Sequence, residues 1–156
     1  MSHEGSEPEA LEWHRQVAMQ CNNRAWALSV AQRSPPEDRE MLDAAHASAW
    51  HWARIGTELN RMRATMLLAE VHALLGHGRT ALLFATEMRT YFVNRADTPD
   101  WELAFTHAIY AHCAHAAGSM DTHRAAYREA EQAIAAVADE EDRRIVAETF
   151  VQVPAP

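Results

Sequence analysis

The stretch Leu67-Leu68-Ala69-Glu70-Val71-His72-Ala73-Leu74-Leu75-Gly76 decides the fold class of this chain. It is apolar on nearly every side and ends at a glycine, a pattern typical of a helix buried between neighbouring helices. A second stretch of the same kind, Ile109-Tyr110-Ala111-His112-Cys113-Ala114-His115-Ala116-Ala117-Gly118, places its final glycine 42 positions after Gly76. The two stretches predict two copies of one helical unit.

Glycines and prolines divide the whole chain into helical segments, because both residues are unfavourable inside a helix. The glycines and prolines all stand between apolar patterns of helical spacing or at a terminus. The segments between them cover about 9–33, 34–55, 57–76, 79–92, 98–118 and 121–137, followed by a short helix over 143–150. No alternating strand pattern is present, and the short connections favour antiparallel hairpins. We therefore expect one α-helical domain over 9–150, with flexible ends at 1–8 and 151–156.

Polar residues next to these breaks predict where helices begin. Ser34, followed by Glu37 three residues later, has the spacing of a capping box. Thr57 is expected to cap the third segment. Thr98 is expected to cap the fifth, with Pro99 at the first helical position.

The two glycine-ended stretches resemble the first helices of tetratricopeptide repeats. Ala69 and Ala111 match the small residue at which two helices cross closely, and Gly76 and Gly118 match the turn glycine. Ala81 matches the small residue that opens the second helix. The resemblance covers about 56–138. It implies an all-α fold of three antiparallel hairpins stacked as a short right-handed solenoid, whose first helices line a concave groove for peptides or proteins.

A further segment, Ala49-Trp50-His51-Trp52 with Leu59-Asn60, looks like one found in bacterial tetratricopeptide-like proteins to which no activity is assigned. The absence of lysine among the 14 basic residues, together with the many alanines, also indicates a GC-rich bacterial genome. Without lysine, a Schiff-base or P-loop lysine is excluded.

Composition restricts the partners of the chain. The 156 residues are 48% hydrophobic, which is ordinary for one globular domain, and carry a net charge of −8, which disfavours binding to nucleic acid. No apolar run approaches the ~20 residues that span a bilayer. Two isolated cysteines, Cys21 and Cys113, are expected to be reduced, and the N-terminal residues do not resemble a signal peptide. These features together predict a cytoplasmic protein that does not bind membranes.

The repeat alignment also predicts which residues line the groove. They are Asn22, Trp26, Arg63, Met66, Glu70, Phe105, His112 and His115. The leading hypothesis is a non-enzymatic scaffold or regulatory module that binds a protein or peptide, with Arg63 holding a carboxylate by two hydrogen bonds. In the alternative, Arg63 and Glu70 are ordinary solvated residues with local ion pairs. Because a short stack leaves its ends exposed, we also expect a homodimer.

Ten histidines are an unusual number for a chain of this length. His107, His112 and His115 on the fifth segment could bind a divalent metal, although none stands in a known metal motif. The second hypothesis is therefore a histidine-lined small-molecule or metal site within the bundle, which could be enzymatic. The competing interpretation of these histidines is a polar, partly buried groove face.

The cluster of His46, Trp50 and His51 could edge a ligand pocket. The favoured alternative is that Trp50 and His51 pack against the third segment, and Trp52 is expected in the core. No other cofactor is indicated.

Overall fold

The computed structural model describes residues 6–156, and this part of the chain is all-α, without strands. Its seven helices are α1 (Glu7–Ser29), α2 (Pro35–Ile55), α3 (Glu58–Leu74), α4 (Gly78–Val93), α5 (Asp100–Ala116), α6 (Met120–Ala135) and α7 (Glu140–Phe150). They agree with the predicted segments to within a few residues, so the predicted all-α class is confirmed. None of these helices is both long enough and apolar enough to cross a bilayer.

Two of the three predicted caps are confirmed. The Ser34 backbone N–H donates to Glu37 Oε2 at 2.8 Å before α2, and Thr57 Oγ1 accepts from the Asn60 N–H at 3.2 Å at the start of α3. The third cap was placed wrongly. The hydroxyl of Thr98 instead donates to the Phe92 carbonyl at 2.7 Å, and α5 begins at Asp100, directly after Pro99.

Helical or buried residues are found within both stretches predicted to be flexible. Helix α1 begins at Glu7, and the Ser6 N–H donates to Glu9 Oε2 at 2.9 Å, so helical structure starts before residue 9. The predicted flexible stretch 1–5 lies outside the described residues. At the other end, the predicted flexible tail 151–156 includes Val153, which is buried against Ala111 and Ala126.

The helices pack in chain order, and the odd-numbered helices also contact one another in succession. Helix α3 lies between α1 and α5 and also packs against α2 and α4, which explains why it is apolar nearly all round. The largest core cluster joins α3, α4 and α5 and includes Met66, Met88, Phe92 and Ile109. Many of its other members are alanines, whose small side chains let helices approach closely.

Glycines allow the turns that join these helices. Gly76 and Gly118 adopt φ values of 75° and 76° after α3 and α5, a conformation that side chains disfavour. Gly78 is required for a different reason, because a Cβ there would lie 2.0 Å from the carbonyl oxygen of Ala116. The start of α4 therefore packs directly on the end of α5.

The acidic run 139–142 forms the start of α7. Asp139 accepts from the Asp142 N–H at 2.9 Å, so α7 begins three residues earlier than expected. Val146 packs with Ala104 of α5 and with Val137 in a separate small core. Helix α7 thereby becomes a fourth odd-numbered helix beside α5.

Candidate functional site

A cavity of about 490 Å³ opens among the four odd-numbered helices. Its lining consists of Asn22, Trp26, Ala27, Val30, Arg63, Met66, Trp101, Glu102, Phe105, Ile145, Glu148 and Thr149. Five of the eight predicted groove residues are among them, namely Asn22, Trp26, Arg63, Met66 and Phe105. We refer to this space as the odd-helix cavity.

Aromatic rings form much of the wall of the odd-helix cavity. The ring of Phe105 lies 5.7 Å from that of Trp26 and 6.3 Å from that of Trp101, measured between centroids. Trp101 was not among the predicted groove residues, although Trp101 precedes Phe105 by one helical turn and so shares its face. It also missed the contribution of α7, because the repeat alignment contains only three hairpins.

The cavity contains an ion pair between Arg63 of α3 and Glu102 of α5, together with the polar side chains of Asn22, Glu148 and Thr149. Arg63 Nε lies 2.6 Å from Glu102 Oε1, and Nη2 lies 3.1 Å from Oε2, so both carboxylate oxygens accept from one guanidinium. Glu102 is 2% exposed, whereas the side chain of Arg63 is 42% exposed. The hydrogen bonds to Glu102 raise the pKa of Arg63 above its usual value, which keeps the guanidinium charged.

This ion pair corrects the role expected for Arg63. Its two-point contact with a carboxylate is already made within the chain, by Glu102. The donors that Glu102 does not use remain near the cavity, because the guanidinium carries five N–H groups and its side chain is half-buried.

The other three predicted groove residues lie elsewhere. Glu70 is fully buried and accepts from Nδ1–H of the buried His112, at 3.1 Å to the nearer oxygen. His115 is half-buried, and its ring packs on that of His123 of α6 at 5.0 Å between centroids. The prediction that Glu70, His112 and His115 line the groove is therefore corrected.

The three histidines proposed for a metal do not converge. His107 Nδ1 lies 3.1 Å from Glu129 Oε2, while His112 pairs with Glu70 and His115 packs on His123. Within residues 6–156, no three or more His, Cys, Asp or Glu side chains are grouped as metal ligands. These positions consequently offer no common site for one ion.

The cluster of His46, Trp50 and His51 divides between two neighbours, since Trp50 and His51 lie beside His14 and His46 lies against His72. His51 Nδ1 lies 2.7 Å from Nδ1 of His14 on α1, so His51 packs against α1 rather than the third segment. Trp50 is 51% exposed, with the Arg54 guanidinium carbon 3.8 Å from its ring centroid. His46 Nε2 lies 3.0 Å from His72 Nε2 of α3. None of the three lines the odd-helix cavity, and Trp52 is half-buried rather than in the core.

Cys113 is placed as a structural thiol. Its Sγ–H donates to the Ala69 carbonyl at 3.3 Å, and burial raises its pKa well above the usual value of a thiol. Because the thiolate is the nucleophilic form, Cys113 is not suited to attack a substrate.

Comparison of the chain with protein-family models, with curated proteins and with solved structures gave no match. The resemblance to tetratricopeptide proteins therefore stays a prediction.

Proposed function

We propose that this chain is a non-enzymatic binding module that takes a segment of a partner protein into the odd-helix cavity. The observation that carries the proposal is an aromatic-walled cavity of about 490 Å³ that contains one internally paired Arg–Glu couple. Ligand sites in proteins typically have volumes of about 300–1,000 Å³, with apolar walls and few polar groups. The cavity has both properties.

The expected mode of binding follows from the lining. Trp26, Phe105 and Met66 offer an apolar surface that would bury one large apolar side chain of the partner. Such buried anchors contribute most of the affinity in many interfaces. Donors of Arg63 not used by Glu102 would bind a backbone carbonyl beside that anchor and fix its orientation.

We further propose that the helices form a short right-handed solenoid of the tetratricopeptide type, with α7 as an added inner helix. This arrangement is supported by the succession of contacts from α1 to α3, α5 and α7, and by the left-handed glycines that end α3 and α5. In such a stack, the inner helices present one concave surface to a partner.

A homodimer is also proposed, formed through the exposed end of the first hairpin. Trp13 and Trp50 are both more than half exposed. Their rings lie 5.1 and 5.8 Å from the ring of His14, so the two tryptophans belong to one surface. An apolar surface of this kind favours association with another protein surface.

Site-specific photo-crosslinking in a lysate of the native host tests the binding proposal. A photoreactive residue at Val30, which lines the cavity and is exposed, is compared with one at Leu83, which is exposed on α4. We expect a discrete adduct from Val30 that is absent from Leu83. The adduct should disappear when Ala27→Trp fills the cavity and persist in the matched variant Ala53→Trp on α2.

The outcomes separate the two hypotheses. An adduct with the same intensity in Ala27→Trp would place the partner outside the cavity and contradict the proposal. A cavity-dependent adduct of small-molecule mass would instead favour the second hypothesis of a small-molecule site.

A further inference from the structure

Three histidines from three structural elements form a row at the surface. His46 Nε2 of α2 lies 3.0 Å from His72 Nε2 of α3, and His72 Nδ1 lies 3.0 Å from Nδ1 of His77, which directly precedes α4. His72 is 7% exposed, whereas His46 and His77 are exposed. Phe84 stacks on the ring of His72 at 5.7 Å between centroids and helps to fix its plane.

The protons of these rings can be placed so that two lone pairs face each other. A neutral imidazole carries one N–H and one lone pair. When the proton of His72 is on Nδ1, it donates to His77 Nδ1 and leaves the lone pair of His72 on Nε2. When the proton of His46 is on Nδ1, its Nε2 lone pair faces that of His72.

The spacing of the two Nε2 atoms fits a common metal ion. Imidazole nitrogens bind Zn²⁺ at about 2.0–2.1 Å. Two such bonds place the nitrogens about 2.9 Å apart at a right angle and about 3.3 Å apart at a tetrahedral angle. The observed 3.0 Å lies between these limits.

We propose that His46 and His72 bind a divalent transition-metal ion of the Zn²⁺ class through their Nε2 atoms, with His77 accepting the Nδ1–H of His72. Metal-bound histidines commonly donate their second ring N–H to an acceptor, which fixes the tautomer and the ring orientation. Because His46 is exposed, water reaches the remaining coordination positions. Two protein ligands are fewer than the four of a closed structural site, so the ion binds reversibly.

The other close histidine pair does not fit a shared ion. His14 Nδ1 and His51 Nδ1 are 2.7 Å apart, closer than two ligands of one Zn²⁺ at a right angle. That distance instead fits one ring donating to the other. Neither histidine pair lines the odd-helix cavity, so the metal proposal is independent of the proposed function.

The test is a calorimetric titration with ZnCl₂ at pH 7.5 of the untagged full chain carrying His3→Ala. The His3→Ala substitution removes the imidazole of residues 1–5, which lie outside the described part of the chain. We expect one ion per chain. His46→Ala and His72→Ala should each abolish this binding, His77→Ala should weaken it roughly tenfold, and His14→Ala should leave it unchanged.

His46 is exposed, so His46→Ala is expected to fold, and its circular dichroism spectrum checks this directly. In histidine ¹⁵N NMR spectra, Zn²⁺ should shift the Nε2 resonances of His46 and His72 and leave those of His14 in place. Absence of binding, binding that survives in folded His46→Ala, or binding lost in His14→Ala would each overturn the proposal.

Discussion

The fully buried carboxylate of Glu70 on α3 accepts from Nδ1–H of His112 on α5 at 3.1 Å. The pair joins two helices of the main core across 42 positions of sequence. A buried polar group is tolerated only when a partner satisfies it, so each residue of the pair requires the other.

Removing one partner should therefore destabilise the protein strongly. We expect Glu70→Ala to lower the free energy of unfolding by about 1–3 kcal/mol, because it leaves His112 buried without its acceptor. Glu70→Gln should cost less, since an amide oxygen of similar size can still accept. Urea denaturation measures both, with Glu87→Ala on the exposed face of α4 as the control. If Glu70→Ala and Glu87→Ala unfold at the same urea concentration, the pair has no structural role.

The Arg63–Glu102 pair should also contribute to the free energy of unfolding, and its contribution should depend on the two parallel hydrogen bonds of the guanidinium. Arg63→Ala leaves the carboxylate of Glu102 buried without its donor and should lower the free energy of unfolding by about 2 kcal/mol. Arg63→Lys should recover only part of this loss, because an ammonium cannot make the two parallel hydrogen bonds of a guanidinium. Arg39→Ala, which removes an exposed arginine of α2, should change stability by less than about 0.5 kcal/mol. Full recovery by lysine would show that the two-point geometry is not important.

Helix caps, turns and the buried helix α3 could be predicted from the sequence. Ser34 and Thr57 cap helices through neighbours three residues away. Gly76 forms the turn after α3 because glycine readily adopts its positive φ of 75°. These outcomes depend on a few consecutive residues. Helix α3 was also predictable, because its apolar residues cover the whole circumference.

Contacts between residues that are distant in sequence could not be predicted in this way. Glu70 and Glu102 were not recognised as buried hydrogen-bond acceptors, because a carboxylate is buried only where the fold supplies a donor. Those donors, His112 and Arg63, are 42 and 39 positions away. The contact between His46 and His72 was also missed. Helical spacing shows which residues share a face of one helix, but not which residues of another helix that face contacts.

The His14–His51 contact predicts a loss of stability in mild acid. Burial, followed by the nearby His14 and Arg54, lowers the pKa of His51 below its ordinary value of about 6.5. Above that pH both the folded and the unfolded chain keep this ring neutral. As the pH falls through about 6.5, the unfolded chain takes up the proton first, so the free energy of unfolding decreases until the folded pKa is passed.

Denaturation at pH 7.5 and pH 5.5 measures this effect. The decrease in the free energy of unfolding between the two values should be smaller in His51→Leu than in the wild type. Leucine fills a similar volume and does not titrate, and the other histidines are present in both proteins. An equal or larger decrease in the variant would assign the acid sensitivity to other groups.

The tryptophan surface of the first hairpin predicts the assembly state. Trp13 is 56% and Trp50 is 51% exposed, and burying both rings against a second copy would remove a large apolar area from water. Light scattering of the wild type should therefore give twice the chain mass of 17.5 kDa. Trp13→Glu with Trp50→Glu should give the monomer mass, because two carboxylates at this surface would have to lose their hydration on association. Leu83→Glu changes an exposed apolar residue on α4 and should remain dimeric. A wild-type monomer would contradict the dimer, and dissociation by Leu83→Glu alone would place the interface on α4 instead.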